Sequence, residues 1–405
     1  MILMKLFAYE AKSIITIQLF LTLCFSSIFH DSYAVKFEND DEKSIQHGIV
    51  YYEEGRNGSH PANHGIWSWD DEILVGFNSK YYLDRGGHAY DPSKPEHNLL
   101  ARSLDGGETW EIEYPAEEKA LLPWGPLGAI RPLPIAEYPP ITNLQESIDF
   151  THPDLAMTFR MESHRGKGQS HFYYSYDRGK NWNGPFALPL FGTAGIAART
   201  DYLFDGENQL LVFLTAGKSQ RGREGRTMVV QTRDWGLNWE FLSWIGPEPD
   251  PHGPDFRIMP STVRISENEI ITTVRKREPD RRLIKAWISK DNGKNWEYLS
   301  DVAPDVGGGS PSSLIKLKDG RLAVTYAHRA EPYGMRARLS EDNGRTWSDP
   351  IILRDDGGNW DIGYPRSVQR TDGKIVTIYY YWTEELGPER HIASTIWDPN
   401  EYNTD

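Results

Sequence analysis

The sequence predicts an all-β chain wound into a seven-bladed β-propeller, and three observations predict it. First, the pattern Ser/Thr-x-Asp-x-Gly-x-Thr/Asn-Trp occurs five times, as SLDGGETW, SYDRGKNW, TRDWGLNW, SKDNGKNW and SEDNGRTW, centred on Asp105, Asp177, Asp234, Asp291 and Asp342. Second, these boxes stand 72, 57, 57 and 51 residues apart, a period typical of circular arrays of four-stranded units. Third, YPRSVQRTDGKIVTIYYYW (364–382), SPSSLIKLKDGRLAVTYAHR (310–329) and RTDYLFDGENQLLVFLTAGK (199–218) each read strand, tight turn, strand, and HGIWSWDDEILVGF (64–77) is the same unit at the start.

Each element has a local cause. In the box, the Asp carboxylate accepts backbone N–H bonds across a tight turn, Gly supplies positive φ and Trp packs beneath. A blade is then strand A, Asp-Gly turn, strand B, loop, strand C, box, strand D. Dividing the residues after position 34 by seven gives about 53 per blade, near the box spacing, whereas six blades need about 62. Because A and B are antiparallel, the Asp-Gly turns and boxes share one end of the ring. The starts of the A strands and the B-to-C loops share the other. A site on the axis draws on that second end, which makes the boxes structural.

The first 34 residues differ from the rest. Lys5 and Lys12 precede an apolar run from Ile14 to Phe29, and Ala34 closes the small-residue stretch before Val35. This is a secretory signal peptide over 1–34, and it predicts a periplasmic or secreted protein with one catalytic domain over 35–405. The run is short and interrupted by Gln18, so no membrane span is expected. The single cysteine, Cys24, leaves with the signal, and the exported fold owes nothing to disulfides. No His/Cys/Asp spacing suits zinc, and no metal or cofactor is expected. A monomer is the expectation.

The formal charge is −14, from 44 Lys+Arg against 58 Asp+Glu. That balance argues against nucleic acid, which needs a basic stripe. An anionic ligand would need a local basic pocket against an unfavourable global field. The 14 Trp and 21 Tyr suit sugar rings, although core packing accounts for most of them.

The end away from the boxes collects such a basic set: His64 on the first A strand, Arg199 and Tyr202 on another, Lys218 at the end of its B partner with Arg221 and Arg223 following, His171 at a C-strand start, Arg257 before IMPSTV, His328 and Arg329 at a B-strand end, and Tyr364 and Arg366 on the last A strand. Any one of these arginines more often pairs with a neighbouring acid. The cluster points to an anionic ligand. His88 and His97 lie in a connection too long to be a mere linker, a candidate lid. DFRIMP (255–260) echoes a sialidase signature but sits mid-chain with Met259 inserted.

Two chemistries compete for this pocket. Hydrolysis of a sialidase type needs an arginine clamp, a Tyr nucleophile with a Glu partner and an acid/base Asp. β-Elimination on a uronic acid needs a cation to neutralise the carboxylate, a His or Tyr to take the C5 proton and a second group to protonate the leaving oxygen at C4. Tyrosine serves as base only beside cations that lower its pKa. Tyr202, Lys218 and His171 supply that combination of residue types.

The boxes are those of sialidase-type propellers, and HGIWSWDDEILVGF, LLARSLDGGETW, RTDYLF…LLVFLTAGK…EGR and GYPRSVQRTDGKIVTIYYYW resemble the seven-bladed propellers that act on rhamnose–glucuronate glycans. That group includes ulvan lyases, rhamnosyl-glucuronate lyases, ulvan oligosaccharide dehydratases and an α-L-rhamnosidase branch. The resemblance covers the whole chain after the signal. It implies His171 and Tyr202 as the lyase histidine and tyrosine, with Lys218 where the ulvan lyases carry Arg. Lysine lacks the bidentate fork, so Arg199 or Arg221 would have to help. It implies His64 as the histidine of the rhamnosidase branch. Arg257, Tyr364 and Arg366 complete the expected substrate contacts. The expected function is an exported carbon–oxygen lyase on ulvan-type oligosaccharides, a dehydratase of the terminal uronate ahead of a chain-cleaving lyase. A glycoside hydrolase and a non-catalytic glycan-binding propeller are the alternatives.

Overall fold

The computed structural model describes residues 44–115, 120–121, 139–163, 168–218, 223–250 and 252–402. The expected signal peptide and Arg221 lie outside the described residues. All the sheets fall within the unit Tyr33–Asp405.

The chain enters through β1 (Gln46–Tyr51), which waits for the last blade. Blade 1 follows: β2 (Arg56–Ser59) and β3 (Ile66–Trp69) lie end to end along β4 (Glu72–Tyr81), then come β5 (His97–Ser103) and β6 (Glu111–Glu113). Blade 2 has β7 (Ala156–Arg160), β8 (His171–Ser175) and β9 (Asn183–Ala187). Blade 3 again splits its inner strand, as β10 (Ile196–Ala197) and β11 (Tyr202–Phe204), along β12 (Leu210–Gly217), with β13 (Glu224–Thr232) and β14 (Glu240–Trp244) outside. Blade 4 is β15 (Phe256–Arg264), β16 (Ile270–Arg277), β17 (Arg282–Ser289) and β18 (Glu297–Ala303). Blade 5 is β19 (Ser312–Lys316), β20 (Leu322–His328), β21 (Gly334–Ser340) and β22 (Ile351–Arg354). Blade 6 is β23 (Gly363–Gln369), β24 (Ile375–Tyr381) and β25 (His391–Trp397), completed on its outer edge by β1.

The described strands thus make six blades, not the expected seven. The estimate of about 53 residues per blade was misled by the shortest box interval, whereas 57 is nearer the true unit. The sixth blade carries no box because its C–D turn is replaced by the two ends of the chain, so five boxes mark six blades.

The box itself behaves as expected. Asp105 Oδ1 accepts from the backbone N–H groups of Glu108 and Thr109 at 3.1 and 2.9 Å, and Ser103 Oγ accepts from Gly107 N at 2.7 Å. Gly106 N donates to Asp71 O in the A–B turn, placing both turns at one end of the ring.

Neighbouring blades are joined near the axis by hydroxyls. Thr158 links to Thr200 (3.0 Å), Thr262 to Asp201 (2.9 Å), Thr273 to Ser312 (2.9 Å) and Thr325 to Ser367 (2.8 Å). Each buried bond contributes about 1 kcal/mol and, more usefully, fixes the relative height of adjacent blades.

The axis is not an open channel at this level. Pro61 breaks the first inner strand, and His60–Gly65 leaves β2 as a short 3-10 turn, Pro61–Asn63, before rejoining β3. Four blades pin this plug. Arg366 Nη2 donates to Ala62 O at 2.7 Å, Arg199 Nε to Asn63 Oδ1 at 2.9 Å and Thr158 Oγ1 to His64 O at 3.1 Å, while Ala62 packs on Ile258 and Met259.

Candidate active site

The plug divides the box-distal end of the ring into two flanks, and the residues that could do chemistry are sorted between them.

On the flank of blades 1 and 2, His64 is buried. Its ring lies on Gly76, where a Cβ would stand 2.7 Å from His64 Cβ, so only glycine lets the plug approach β4 this closely. Its tautomer follows from a chain of bonds. Leu121 O can only accept, so it takes Asn98 Nδ2 (2.7 Å); Asn98 Oδ1 then accepts from Asn78 Nδ2 (2.9 Å), and Asn78 Oδ1 accepts from His64 Nε2 (2.7 Å). His64 therefore carries its proton on Nε2, and its Nδ1 lone pair has no hydrogen-bond partner among the described residues. Burial, followed by the charges of Arg160, Lys80 and Arg366, holds the imidazole neutral, far below its ordinary pKa. Arg160 ends β7 directly opposite His171, which starts β8 and packs edge-on against Tyr173 at 5.6 Å. Burial lowers the Arg160 pKa to about 10 against the opposing pull of Tyr173 and Glu96. Lys80 pairs with Glu96 at 3.3 Å. This flank is sealed: His64 is 1% exposed and His171 5%.

The flank of blades 4, 5 and 6 is the more open of the two: His60, Arg275, Arg277, Arg282 and Tyr364 are half-buried. Tyr364 sits at a bulge in β23 with φ 54°, a left-handed conformation that a tyrosine adopts only under constraint. Its hydroxyl accepts from Arg275 Nη1 at 3.2 Å, and its ring meets His60 edge-on at 4.8 Å. The Arg329 guanidinium stands 5.4 Å from the same ring. Four of the Arg329 bonds go to Ile362 O (twice), Gly309 O and the Tyr380 hydroxyl, so it is mainly an anchor. His60 also faces His88, whose Nδ1 lies 2.7 Å from Asp361 Oδ1. Burial, then Lys80, His88, Arg329 and His64, keep His60 neutral. Burial opposes ionisation of Asp361, but His88, Arg329 and Arg390 together hold its carboxyl below the usual range. Arg275, Arg277 and Arg282 stand on one face of blade 4, by the pleat of β16 and the register of Arg277 with Arg282.

Seven arginines at this end, Arg160, Arg257, Arg275, Arg277, Arg282, Arg329 and Arg366, make no ion pair with a described carboxylate. In a chain of charge −14 this local surplus is costly unless an anion offsets it. A concavity of about 680 Å³ opens at the edge of blade 2 beside Ile141, Tyr174 and Phe186, and among the described residues no cation lines it.

The residues expected from the sequence are not all brought together. Tyr202 lies in the core between blades 2 and 3, against Phe159 and Phe204. Its hydroxyl accepts from Trp67 Nε1 (3.2 Å) and Met157 N (3.4 Å), and burial raises its pKa where a base needs it lowered. Met157 is three residues from Arg160 along β7, about 10 Å from the level of His171. Lys218 Nζ donates to the carbonyls of Asp250, Gly253 and Asp255 at 3.1, 2.6 and 2.8 Å, which uses all three of its protons on one loop. Arg199 is paired with Glu224 at 2.9 Å, and Arg366, buried, holds the plug. Arg257 faces blade 3, across its sheet from Arg275. Of the expected catalytic and substrate-contact residues that the structure describes, Tyr364 alone stands in the open cluster.

Sequence reasoning passed over His60, Arg275, Arg277, Arg282 and Asp361. The rule that picked Lys218 and Arg329, a cation ending a B strand, picks Arg275 and Arg277 equally, from VRKREPDRR. Pro61 inside a strand pattern was the available signal for His60.

The sequence pattern of the BNR repeat-like domain family matches residues 158–377, more than half of the chain. The chain belongs to that family. No curated protein matches this BNR-repeat chain in sequence. Among solved structures it is similar to a protein of unknown function from Dyadobacter fermentans, with 20% identity, a TM-score of 0.64, and coverage of 88% of this chain and 98% of that one. It is also similar to the NanB sialidase of Streptococcus pneumoniae (13%, TM-score 0.57, 88% and 71%) and to an α-L-arabinanase of Penicillium chrysogenum complexed with arabinobiose (13%, TM-score 0.53, 85% and 98%). At these identities the likeness is one of fold: a BNR/sialidase-like β-propeller. Among the described residues no helix is long and apolar enough to cross a membrane.

Proposed function

We propose that this BNR-repeat propeller is a carbohydrate-active enzyme that binds a uronate-bearing oligosaccharide at the open flank and breaks its C4–O bond by β-elimination. One observation carries the reading: the Tyr364 hydroxyl rests on Arg275, beside a neutral histidine and two further unpaired arginines, and no described carboxylate is hydrogen-bonded to it. The sugar carboxylate occupies Arg275 with Arg277 and Arg282 in support, and their charge stabilises the enolate that forms when the C5 proton leaves. That proton goes to the neutral imidazole of His60. The C5–H electrons form the C4=C5 double bond, the C4–O bond breaks, and the Tyr364 hydroxyl, which accepts from Arg275 and keeps its own proton to give, protonates the departing oxygen. Burial, then the neighbouring cations, make His60 a weak base, and an arriving carboxylate raises its proton affinity.

The departing group is water when the uronate is terminal and the next sugar when it is internal. The plug closes the floor of the site and favours a chain end, hence dehydration. Hydrolysis is the second reading, favoured by the sialidase and arabinanase among the structural neighbours. It needs a carboxylate free to act on the sugar, and Asp361 is taken by His88, Arg390 and Tyr380. The His64 route is disfavoured because that ring is enclosed.

Ulvan-type oligosaccharides incubated with the protein test the reading. Rising absorbance of the conjugated 4,5-unsaturated uronate with loss of one water supports dehydration, and rising absorbance with chain scission supports a lyase. Free sugars without absorbance support hydrolysis and overturn elimination. Export to the periplasm or medium, a part of the same reading, is tested by fractionation.

A further inference from the structure

The pleat of blade 4 puts two sets of cations on opposite faces of one sheet. Arg275, Arg277 and Arg282 face blade 5 and the site just described. Arg257 and Lys276, directly paired across β15 and β16, face blade 3. On that second face a cleft of about 320 Å³ is lined by Pro247, Arg257, Lys276, Lys285, Trp287 and Tyr298. It runs radially, from Arg257 on the innermost strand to Tyr298 on the outermost.

We propose that this cleft is a second binding site, for an anionic sugar, which takes a part of the glycan remote from the reacting uronate. The inference rests on the proposed glycan substrate for its purpose, and on the cleft alone for its chemistry. Lys276 is matched by Asp255 at 3.3 Å and Lys285 by Glu278 at 2.9 Å. Arg257 is not matched. It is 4% exposed, and its Nε and Nη2 have no hydrogen-bond partner among the described residues. A guanidinium that surrenders water without gaining a partner is expensive, and a carboxylate or sulfate in its fork removes that cost.

The other wall fits a pyranose. Tyr298 is 51% exposed, meets Trp287 edge-on at 5.9 Å and has the Lys285 ammonium 5.4 Å from its ring centroid, so the exposed part of the ring is offered to the apolar side of a sugar. Trp287 Nε1 is buried and likewise unpartnered, a donor for a ring or hydroxyl oxygen, and the Arg257 guanidinium lies 5.8 Å from the indole centroid. One donor pair for the anion, one donor for the sugar and one exposed aromatic ring make an anionic pyranose the ligand class. Inorganic phosphate would leave the Tyr298 ring without a role.

Binding, not turnover, tests this. The full chain carrying Arg275→Gln and Tyr364→Phe, which silences the open flank, is titrated calorimetrically with glucuronic acid, a glucose monosulfate and glucose. One equivalent of an anionic sugar is expected to bind, and the tighter of the two anions identifies the charged group. Adding Arg257→Gln or, at the surface where folding is not at risk, Tyr298→Ala is expected to weaken binding by about tenfold or more. Equal binding of glucose, no binding of either anion, or unchanged affinity in the Tyr298→Ala protein overturns the proposal. None of these outcomes depends on whether the enzyme eliminates or hydrolyses.

Discussion

Gly76→Ala is the sharpest structural test of the plug. The added Cβ would stand 2.7 Å from His64 Cβ and 3.4 Å from both His64 Cγ and Leu100 Cδ2. Strand β4 is paired on both sides and cannot retreat, so His64 must move by about 0.7 Å to restore ordinary contact. That shift stretches the 2.7 Å bond to Asn78 Oδ1 beyond useful length. Overpacking costs about 1–3 kcal/mol, and stranding a buried donor and acceptor costs about 1–3 kcal/mol more, so a loss of about 2–6 kcal/mol is expected in urea unfolding. The partner background separates the terms. In His64→Ala the Cβ persists, and Gly76→Ala should still cost the overpacking part. In His64→Gly the clashing atom is gone, and the same change should cost less than about 0.5 kcal/mol. An equal cost in all three backgrounds refutes the packing argument.

Three further outcomes follow from the geometry. Tyr364→Phe should lower kcat on a uronate oligosaccharide by about a hundredfold or more with unchanged thermal unfolding, measured by absorbance and scanning calorimetry; near-normal turnover removes Tyr364 from the reaction. Asp105→Ala strips the bonds of one box and should cost about 2–3 kcal/mol in urea while turnover per folded molecule stays constant, because the box lies at the far end of the ring. Acid should weaken the ring closure between β1 and β25. Burial, then Arg354, lowers the His47 pKa from 6.5 to about 4, and burial takes His391 to about 3. Both rings stay neutral in the fold while the unfolded chain gains protons below about 6.5, so stability falls as pH drops from 6.5 towards 4. His47 alone accounts for about 2 kcal/mol between pH 7 and pH 5. His47→Gln should flatten that part of the slope in urea midpoints, and an unchanged slope counts against it.

The propeller was legible because its signals are local and repeated. Asp, Gly and Trp of each box are read within eight residues, and the placement of boxes and A–B turns at one end of the ring follows from strand direction alone. The blade number was not legible, because the sixth blade is assembled from both ends of the chain and has no box to count. The proposed site lies at the end expected from the sequence but on different residues. Whether Tyr202 or Tyr364 faces the axis depends on a bulge that shifts the pleat by one, and on what lies across the inter-blade seam. Lys218 failed for a different reason: its partners are main-chain carbonyls of a loop more than thirty residues away, which no side-chain pattern announces. The plug is intermediate, since Pro61 marks a break but not that the break crosses the axis.

The closure of blade 6 by β1 has a practical consequence. β1 is antiparallel to β25, with Gln46 opposite Ile396 at the box end, and Ser44 N lies 2.9 Å from Glu401 Oε2. Both described ends therefore meet at the box end of the ring, away from the proposed site. A linker or affinity handle attached at either one leaves the open flank and the radial cleft unobstructed, and the protein can be immobilised on a bead facing its substrate. The same proximity makes the chain a candidate for circular permutation: a short bridge from position 402 to position 44 would convert the seam into an ordinary C–D connection, and new ends could be cut in the loop after any box.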